Sequence, residues 1–417
     1  MRPNHRVASS DMPIDSLSNH QGPSSSNRGT SAIPQEIVDS IIDLVEGANA
    51  LQACSLTSRA FYQRTRVYLF RQILLSPPRN QSPDVLEARF LPILMSAPHL
   101  APCIKTVTVS TLTFTSPSGQ QILSLLTHLE TIVISNLPNS PWKDLAVDVC
   151  SNIPAKRVKV SGVEFQGPEQ LYALLGHFPL AKDLFLRAVC FQNPPDPSNS
   201  SSVLDLDKLT LADGPMPHFL SSFCNIHNLQ VRYTLRELRV SVLWFEDYLY
   251  TLYISHACPS LRVLHVMSPQ DTIFWNPIPP LGLSYIEELR FGICVEASTR
   301  RSDVRAMQWW IDSFTDVEDS APLRKVTLEI SGNIVHESDK EGLWSELDRA
   351  VTRPQFSSLQ TFTVIFHCSD DFDDWHACRM KDLIWTKCTE MRNRNVLKVM
   401  GCQLELSMED LHEYERG

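Results

Sequence analysis

Glycine is scarce in this chain, 14 of 417 residues, and none of it is gathered into a loop that could cradle phosphate. Neither G-x-S-x-G nor H-E-x-x-H occurs, which removes the strained serine nucleophile of one hydrolase class and the two-histidine zinc helix of another. His367, Asp370, Asp371 and Asp373 lie close in sequence, but nothing places a nucleophile beside them. Residues 370–374 read as a solvated acidic loop, and the chain is expected not to be an enzyme. No apolar run approaches the roughly 18 residues that span a bilayer. Basic residues are outnumbered, 37 to 47, for a formal charge of −10. That balance excludes general nucleic-acid or anionic-membrane binding, both of which rely on a basic surface.

Eleven cysteines are scattered from Cys54 to Cys402 with no Cys-x-x-Cys pair. An odd number without pattern predicts reduced thiols, hence an intracellular protein, cytoplasmic, nuclear or both. His367, Cys368, His376, Cys378 and Cys388 cluster in sequence, yet their spacings fit no common zinc pattern, so neither metal nor cofactor is expected. Residues 1–30 are rich in Ser, Pro, Asn and Gly without a central apolar stretch; they predict a disordered tail and not a secretion signal. The Asn80-Gln-Ser and Asn199-Ser-Ser triplets are then chance matches to glycosylation sites. With 43% hydrophobic residues, a sizeable core is affordable, either as two or three domains or as one small domain joined to a long repeat array.

Residues 33–75 hold three short helical patterns. Pro34 suits a first helical position. Ile37, Ile41, Ile42, Leu44 and Val45 follow at three- and four-residue spacing between Glu36, Asp39 and Asp43, which reads as one amphipathic helix ending before Gly47. A second apolar set runs through Leu51, Ala53, Cys54, Leu56 and Phe61, and a third through Tyr62, Val67, Leu69 and Phe70. A unit of about 40 residues rarely folds without help, so this much apolar surface predicts a partner.

From residue 104 onward one six-residue signature, apolar-x-x-apolar-x-apolar, recurs as IKTVTV, LETIVI, AKRVKV, AKDLFL, LDKLTL, LRELRV, LRVLHV, IEELRF, LRKVTL and LQTFTV. The starts fall at 104, 129, 155, 181, 206, 235, 261, 286, 323 and 359, giving intervals of 25, 26, 26, 25, 29, 26, 25, 37 and 36. Helix-like segments lie between them: QQILSLLTHL, PWKDLAVDVC, EQLYALLGHF, FEDYLYTLYI, DVRAMQWWID and GLWSELDRAV. A lone strand–helix unit cannot bury its apolar face, whereas stacked units share one core with parallel strands along one side. Strands pack about 4.8 Å apart and helices about 10 Å, so the strand side should be concave and the helix side convex. The two long intervals predict insertions near 297–303 and 332–340. NPPDPSNSSS, 193–202, predicts an exposed loop, LEARFLPILM, 86–95, a capping helix, and the terminal LSMEDLHEYERG, 406–417, a polar closing helix.

The opening Ile-Pro-x-Glu, the apolar helix, the Leu-x-x-Cys-Ser-Leu-x-x-Arg-x-aromatic block and the closing Tyr-Leu-Phe-Arg together resemble the F-box motif, in the form common in fungal proteins, with Phe61 where the family often carries Trp. The repeats resemble degenerate leucine-rich repeats. The resemblance implies an α/β chain with a small N-terminal α-helical F-box (31–76), a linker and capping helix (77–103) and a curved, right-handed leucine-rich-repeat solenoid (104–417). It further implies docking of the F-box onto the adaptor subunit of a cullin-RING (SCF-type) E3 ubiquitin ligase through Ile33, Pro34, Ile37, Ile41, Leu51, Cys54, Leu56 and Phe61, with the array as substrate receptor. The alternative is a leucine-rich-repeat interaction scaffold associated with no ligase.

Residues between the apolar signature positions must line the strand side. The fifth positions are Thr108, Val133, Lys159, Phe185, Thr210, Arg239, His265, Arg290, Thr327 and Thr363; neighbouring positions add Lys156, Arg157, Arg187, Arg236 and Arg262. Basic groups concentrated in the middle around an aromatic Phe185 predict a surface for an acidic or phosphorylated protein target, made of Lys159, Phe185, Arg187, Arg236, Arg239, Arg262, His265 and Arg290.

Overall fold

The structure is a computed structural model. It describes residues 33–75, 83–114, 116–135, 152–193, 204–213, 219–220, 223, 234–241, 245–267, 279–295, 302–332, 342–367 and 374–400. The expected tail, the helix at 141–150, most of the loop at 193–202, the insertions at 297–301 and 333–340, the acidic loop at 370–373 and the closing helix at 406–417 lie outside the described residues. Two compact units divide between Arg64 and Thr65.

The first unit contains α1 (Gln35–Asp43), α2 (Ala48–Thr57) and the start of α3 (Arg59–Leu69). Pro34 is not the first helical residue; it precedes the helix with φ −53° and ψ 141°, and its carbonyl accepts from the N–H groups of Ile37 and Val38. An extended residue fits there because its carbonyl already serves the first turn. Val38, Ile42 and Leu51 are buried. Arg64 reaches back to Asp43 with two parallel bonds of 2.7 and 2.8 Å, and Gln35 donates to Ala60 O at 3.1 Å, so the first and third helical segments are tied together.

The second unit is α/β and is built on one twelve-stranded parallel sheet: β1 (Gln72–Leu74), β2 (Thr106–Ser110), β3 (Thr131–Ser135), β4 (Arg157–Ser161), β6 (Asp183–Arg187), β8 (Lys208–Ala212), β9 (Glu237–Ser241), β10 (Val263–Met267), β11 (Glu288–Val295), β12 (Lys325–Gly332), β13 (Thr361–His367) and β14 (Leu397–Met400). Its strands pair in chain order, the topology of a repeat array. Two short strands, β5 (Glu164–Phe165) and β7 (Cys190–Phe191), form a separate parallel pair. Each of the ten signatures becomes a strand that begins at its third residue. At the fourth and sixth signature positions every side chain is buried, from Val107 and Val109 to Phe362 and Val364. Burying each such Val, Leu, Ile or Phe contributes about 2 kcal/mol, so these two rows dominate the core.

The observed helices are α4 (Pro83–Ser96), α5 (Pro117–Leu125), α6 (Pro168–Leu175), α7 (Phe245–Ala257), α8 (Ser302–Thr315), α9 (Leu343–Val351), α10 (Asp374–Lys387) and α11 (Thr389–Asn393). α4 to α9 coincide with helical segments expected from the sequence, whereas α10 and α11 do not: Asp374, read as the end of an acidic loop, instead begins α10. None of the helices is long and apolar enough to cross a membrane. Two further findings correct the sequence reading. β1, inside the span assigned to the helical domain, pairs Gln72–Leu74 with Thr106–Thr108 and so belongs to the sheet. The late repeats also lengthen their strands: β11 and β12 have eight residues and β13 seven, against five for earlier strands, so part of each long interval is ladder and not inserted loop.

Successive repeats also cap one another. Asp348, buried on α9, accepts from the N–H groups of Glu390 and Met391, both at 2.8 Å, and so closes the start of α11. Burial pushes its carboxyl above the usual range in spite of these bonds. Thr352 donates to Glu390 Oε2 at 2.7 Å, and the buried Cys388 thiol, its pKa raised by burial, donates to Trp344 O. Asp348→Ala would leave two N–H groups without their acceptor. Thermal or urea unfolding is expected to show a loss of about 2 kcal/mol.

Candidate functional site

Two surfaces collect the residues of interest. On the first unit, α1 carries two apolar stripes. Val38 and Ile42, four apart, face inward. Ile37 and Ile41, four apart, and the C-cap Leu44 face solvent on one side, with Leu44 83% exposed; Ile33, ahead of the extended Pro34, is also exposed, and Leu56, on α2, is 87% exposed. Among the residues expected to dock, Ile33, Pro34, Ile37, Ile41 and Leu56 are exposed, Cys54 and Phe61 half-buried, and Leu51 buried. Leu51 is therefore a core residue of the unit and not part of its free face. Val38, which the spacing reading left out, is the inward neighbour of Ile37. Isolated exposed apolar residues are ordinary on a monomer; neighbouring ones on one side of a helix are not.

On the second unit the open face of the sheet carries three parallel rows. Pairing places Thr108, Val133, Lys159, Phe185, Thr210, Arg239, His265, Arg290, Thr327, Thr363 and Lys398 in one line across eleven strands. Of the residues expected to face a target, this middle row brings together Lys159, Phe185, Arg239, His265 and Arg290. Arg187 lies one row above, and Arg236 and Arg262 sit just before their strands.

The expected concentration of positive charge is largely neutralised, because acidic residues flank the middle row. Arg157 pairs with Asp183 at 2.6 Å, Arg187 with Asp213 at 2.6 Å, Lys208 with Glu237 at 3.2 Å, Arg262 with Glu287 at 3.3 Å and Lys325 with Glu288 at 2.8 Å. Arg239 bonds Glu237, and Arg290 bonds Glu329. Lys159 stands 5.9 Å from the Phe185 ring centroid, a cation–π arrangement. Such half-exposed pairs each contribute little to stability. The middle row itself holds cations and neutral groups but no carboxylate.

Three groups sense this field. Glu329, on β12, is 2% exposed and is held by Arg290 and by His367 Nε2 at 3.1 Å. Burial pushes its carboxyl up, but the His367 bond and the Arg290 charge outweigh it and hold the group below the usual range. Glu237 behaves the same way: burial raises it, and Arg239 and Lys208 bring it down further. His265 is 7% exposed, stands between Arg239 and Arg290 in the ladder, and its Nε2 has no hydrogen-bond partner. Burial first, and then the two arginines, bring its pKa down to about 4, so it is neutral at physiological pH.

These buried charges were missed in sequence because Glu329 and His367 lie beyond the six-residue signature. Their signal was a polar residue past the sixth position of a strand that continues, Glu329 one place after Leu328 and His367 three places after Val364. His367 is thereby occupied by Glu329, and among the described residues no three His, Cys, Asp or Glu are placed to hold a metal. Cys368 lies outside the described residues. Neither a protein-family model nor a curated protein matches the chain.

His265 gives the sheet a pH dependence with a definite sign. Unfolded, it binds a proton below about pH 6.5; folded, it resists until about pH 4. Between those values the unfolded chain holds more protons, so stability falls as pH falls. From pH 7 to pH 5 the native chain is expected to lose about 2 kcal/mol more than His265→Gln in denaturant titrations. Equal losses in both proteins would contradict the neutral histidine.

Proposed function

We propose that this protein is the substrate-recognition subunit of a cullin-RING, SCF-type E3 ubiquitin ligase: the first unit is an F-box that docks the adaptor subunit, and the second is a leucine-rich-repeat array that holds a target protein. The second apolar stripe of α1, Ile37 and Ile41 continued by the C-cap Leu44, carries this reading, with exposed Ile33 just ahead of the helix. A helix of nine residues needs one apolar stripe to pack, and this one displays another to solvent together with Leu56. Of the pattern that resembles the F-box, Ile-Pro-x-Glu leads into α1, Leu-x-x-Cys-Ser-Leu lies within α2, and Tyr-Leu-Phe-Arg closes α3.

Such a subunit acts by proximity. Holding a target lysine and a charged ubiquitin carrier in one assembly raises their effective concentration and requires no reacting residue of its own. An open sheet face made of many variable positions, carried on a regular frame, suits the holding of a target.

The test is co-purification of the full chain with the adaptor subunit, native against Ile37→Asp and Leu56→Asp. Both side chains are exposed, so each variant is expected to unfold within about 0.5 kcal/mol of the native chain. Capture is expected to weaken by about 2 kcal/mol or more per substitution, roughly thirtyfold, as for apolar anchors at interface centres. A native chain that captures no adaptor would leave the ligase-free scaffold as the function.

A further inference from the structure

We propose that residues 404–415, within the C-terminal segment outside the described residues, dock as an amphipathic helix on the exposed side of α10 and so close the last repeat, with an apolar stripe on Trp385 and acidic side chains beside Lys381 and Arg392. No residue of the first unit takes part, so the docking is independent of the ligase reading.

The receiving surface lies on the last two helices. On α10, Met380 and Ile384 turn inward and are buried, whereas Trp385 is 44% exposed. Lys381, one turn before Trp385, is exposed as well, and residues four apart share a helix face. Arg392, exposed on α11, donates to Trp385 O at 3.2 Å and brings a second cation to that place. Among the described residues, neither Lys381 nor Arg392 pairs with a carboxylate. Tryptophan offers a large apolar area and is a frequent interface anchor. Two cations around one exposed tryptophan therefore call for an apolar ligand with an acidic edge.

Topology names the occupant. In the late repeats each strand is followed by a helix that packs on its neighbour: α8 follows β11 and packs on α9, which follows β12, and α9 packs on α10, which follows β13. β14 is the last strand of the sheet, and α10 packs on it. A helix following β14 has one place consistent with this order, against the side of α10 that α9 leaves open. The end of a solenoid needs such a cap, because a terminal repeat lacks the neighbour that covers each interior one.

The C-terminal segment has the matching character. Leu404, Met408 and Leu411 recur at four- and three-residue spacing, and Glu405, Glu409 and Glu413 at four, the pattern of a helix with an apolar stripe and an acidic flank. Residues 374–400 carry six Lys or Arg against three Asp or Glu, and residues 401–417 one Arg against five Asp or Glu, so surface and segment have opposite net charge. Asp382, exposed on the flank of Trp385 away from Lys381, steers the acidic edge toward Lys381. As a helix, 404–415 is about 18 Å long, enough to run beside most of α10. Only three residues separate it from Met400. So short a tether holds the segment at an effective concentration on the order of mM, so modest contacts suffice.

The test is hydrogen exchange of the full-length chain, read by mass spectrometry on fragments covering 404–414 and compared with a synthetic peptide of residues 401–417. In the native chain these amides are expected to exchange at least about tenfold more slowly than in the free peptide. Trp385→Ala and Lys381→Glu are each expected to return them to the free-peptide rate. Both side chains are exposed, and unchanged protection of β12 and β13 in the same spectra shows that each variant is folded. Exchange of 404–414 at the free-peptide rate in the native chain overturns the proposal. So does protection that either variant leaves intact, or protection that rises with protein concentration, which would place the segment on a second copy.

Discussion

One backbone contact recurs through the second unit and sets everything else. The carbonyl of the second signature residue accepts from two consecutive N–H groups at the start of the next strand: Lys105 serves Glu130 and Thr131, Glu130 serves Lys156 and Arg157, and so on through Arg324, which serves Gln360 and Thr361. Arg71 does the same for Lys105 and Thr106 ahead of the first signature. Because donor and acceptor are main-chain atoms, the contact is indifferent to side-chain identity. It fixes the register of each strand on its neighbour, and a slip of one residue would turn the buried rows outward. Intervals from 25 to 37 residues are thus reconciled with one in-register ladder, because connecting segments absorb the difference.

That register gives the open face its electrical character. Side chains far apart in sequence, such as Arg290 and Glu329 or Glu329 and His367, become neighbours only through strand pairing. The carboxylates of these strands stand in the outer rows, some beside cations of the same row such as Arg157 and Lys208, so a chain of net charge −10 keeps a middle row free of negative groups across its sheet. Burial first, and then two arginines placed two strands apart, hold the histidine between them neutral, a consequence of geometry that no single repeat contains.

Much of this was legible in the residues themselves. The alternation of buried and variable positions named all ten signature strands, because apolar side chains at the fourth and sixth places have no stable home but the core. Helices with strong three-and-four spacing, such as Phe245–Ala257 and Leu343–Val351, were equally plain. Less visible were β1 and β14, whose three or four residues carry too short an alternation to stand out, and the pair β5 and β7. The latter depends on chain reversals at Gly162 and Ala188, both with positive φ, which a local pattern of apolar residues does not encode. At the sites, the exposed stripe of α1 was legible only as surplus; which isoleucines pack and which remain outside, Val38 and Ile42 against Ile37 and Ile41, is decided by tertiary contacts. The cancellation of the basic strip escaped notice because its partners stand at other places in neighbouring repeats.

A frame fastened by main-chain bonds and two greasy rows asks little of the exposed side chains in its central line, apart from Arg290, which holds buried Glu329. Those positions are at liberty to mutate one at a time, each altering the chemistry of that face without loosening the frame beneath. Surface character and architecture are thereby inherited separately.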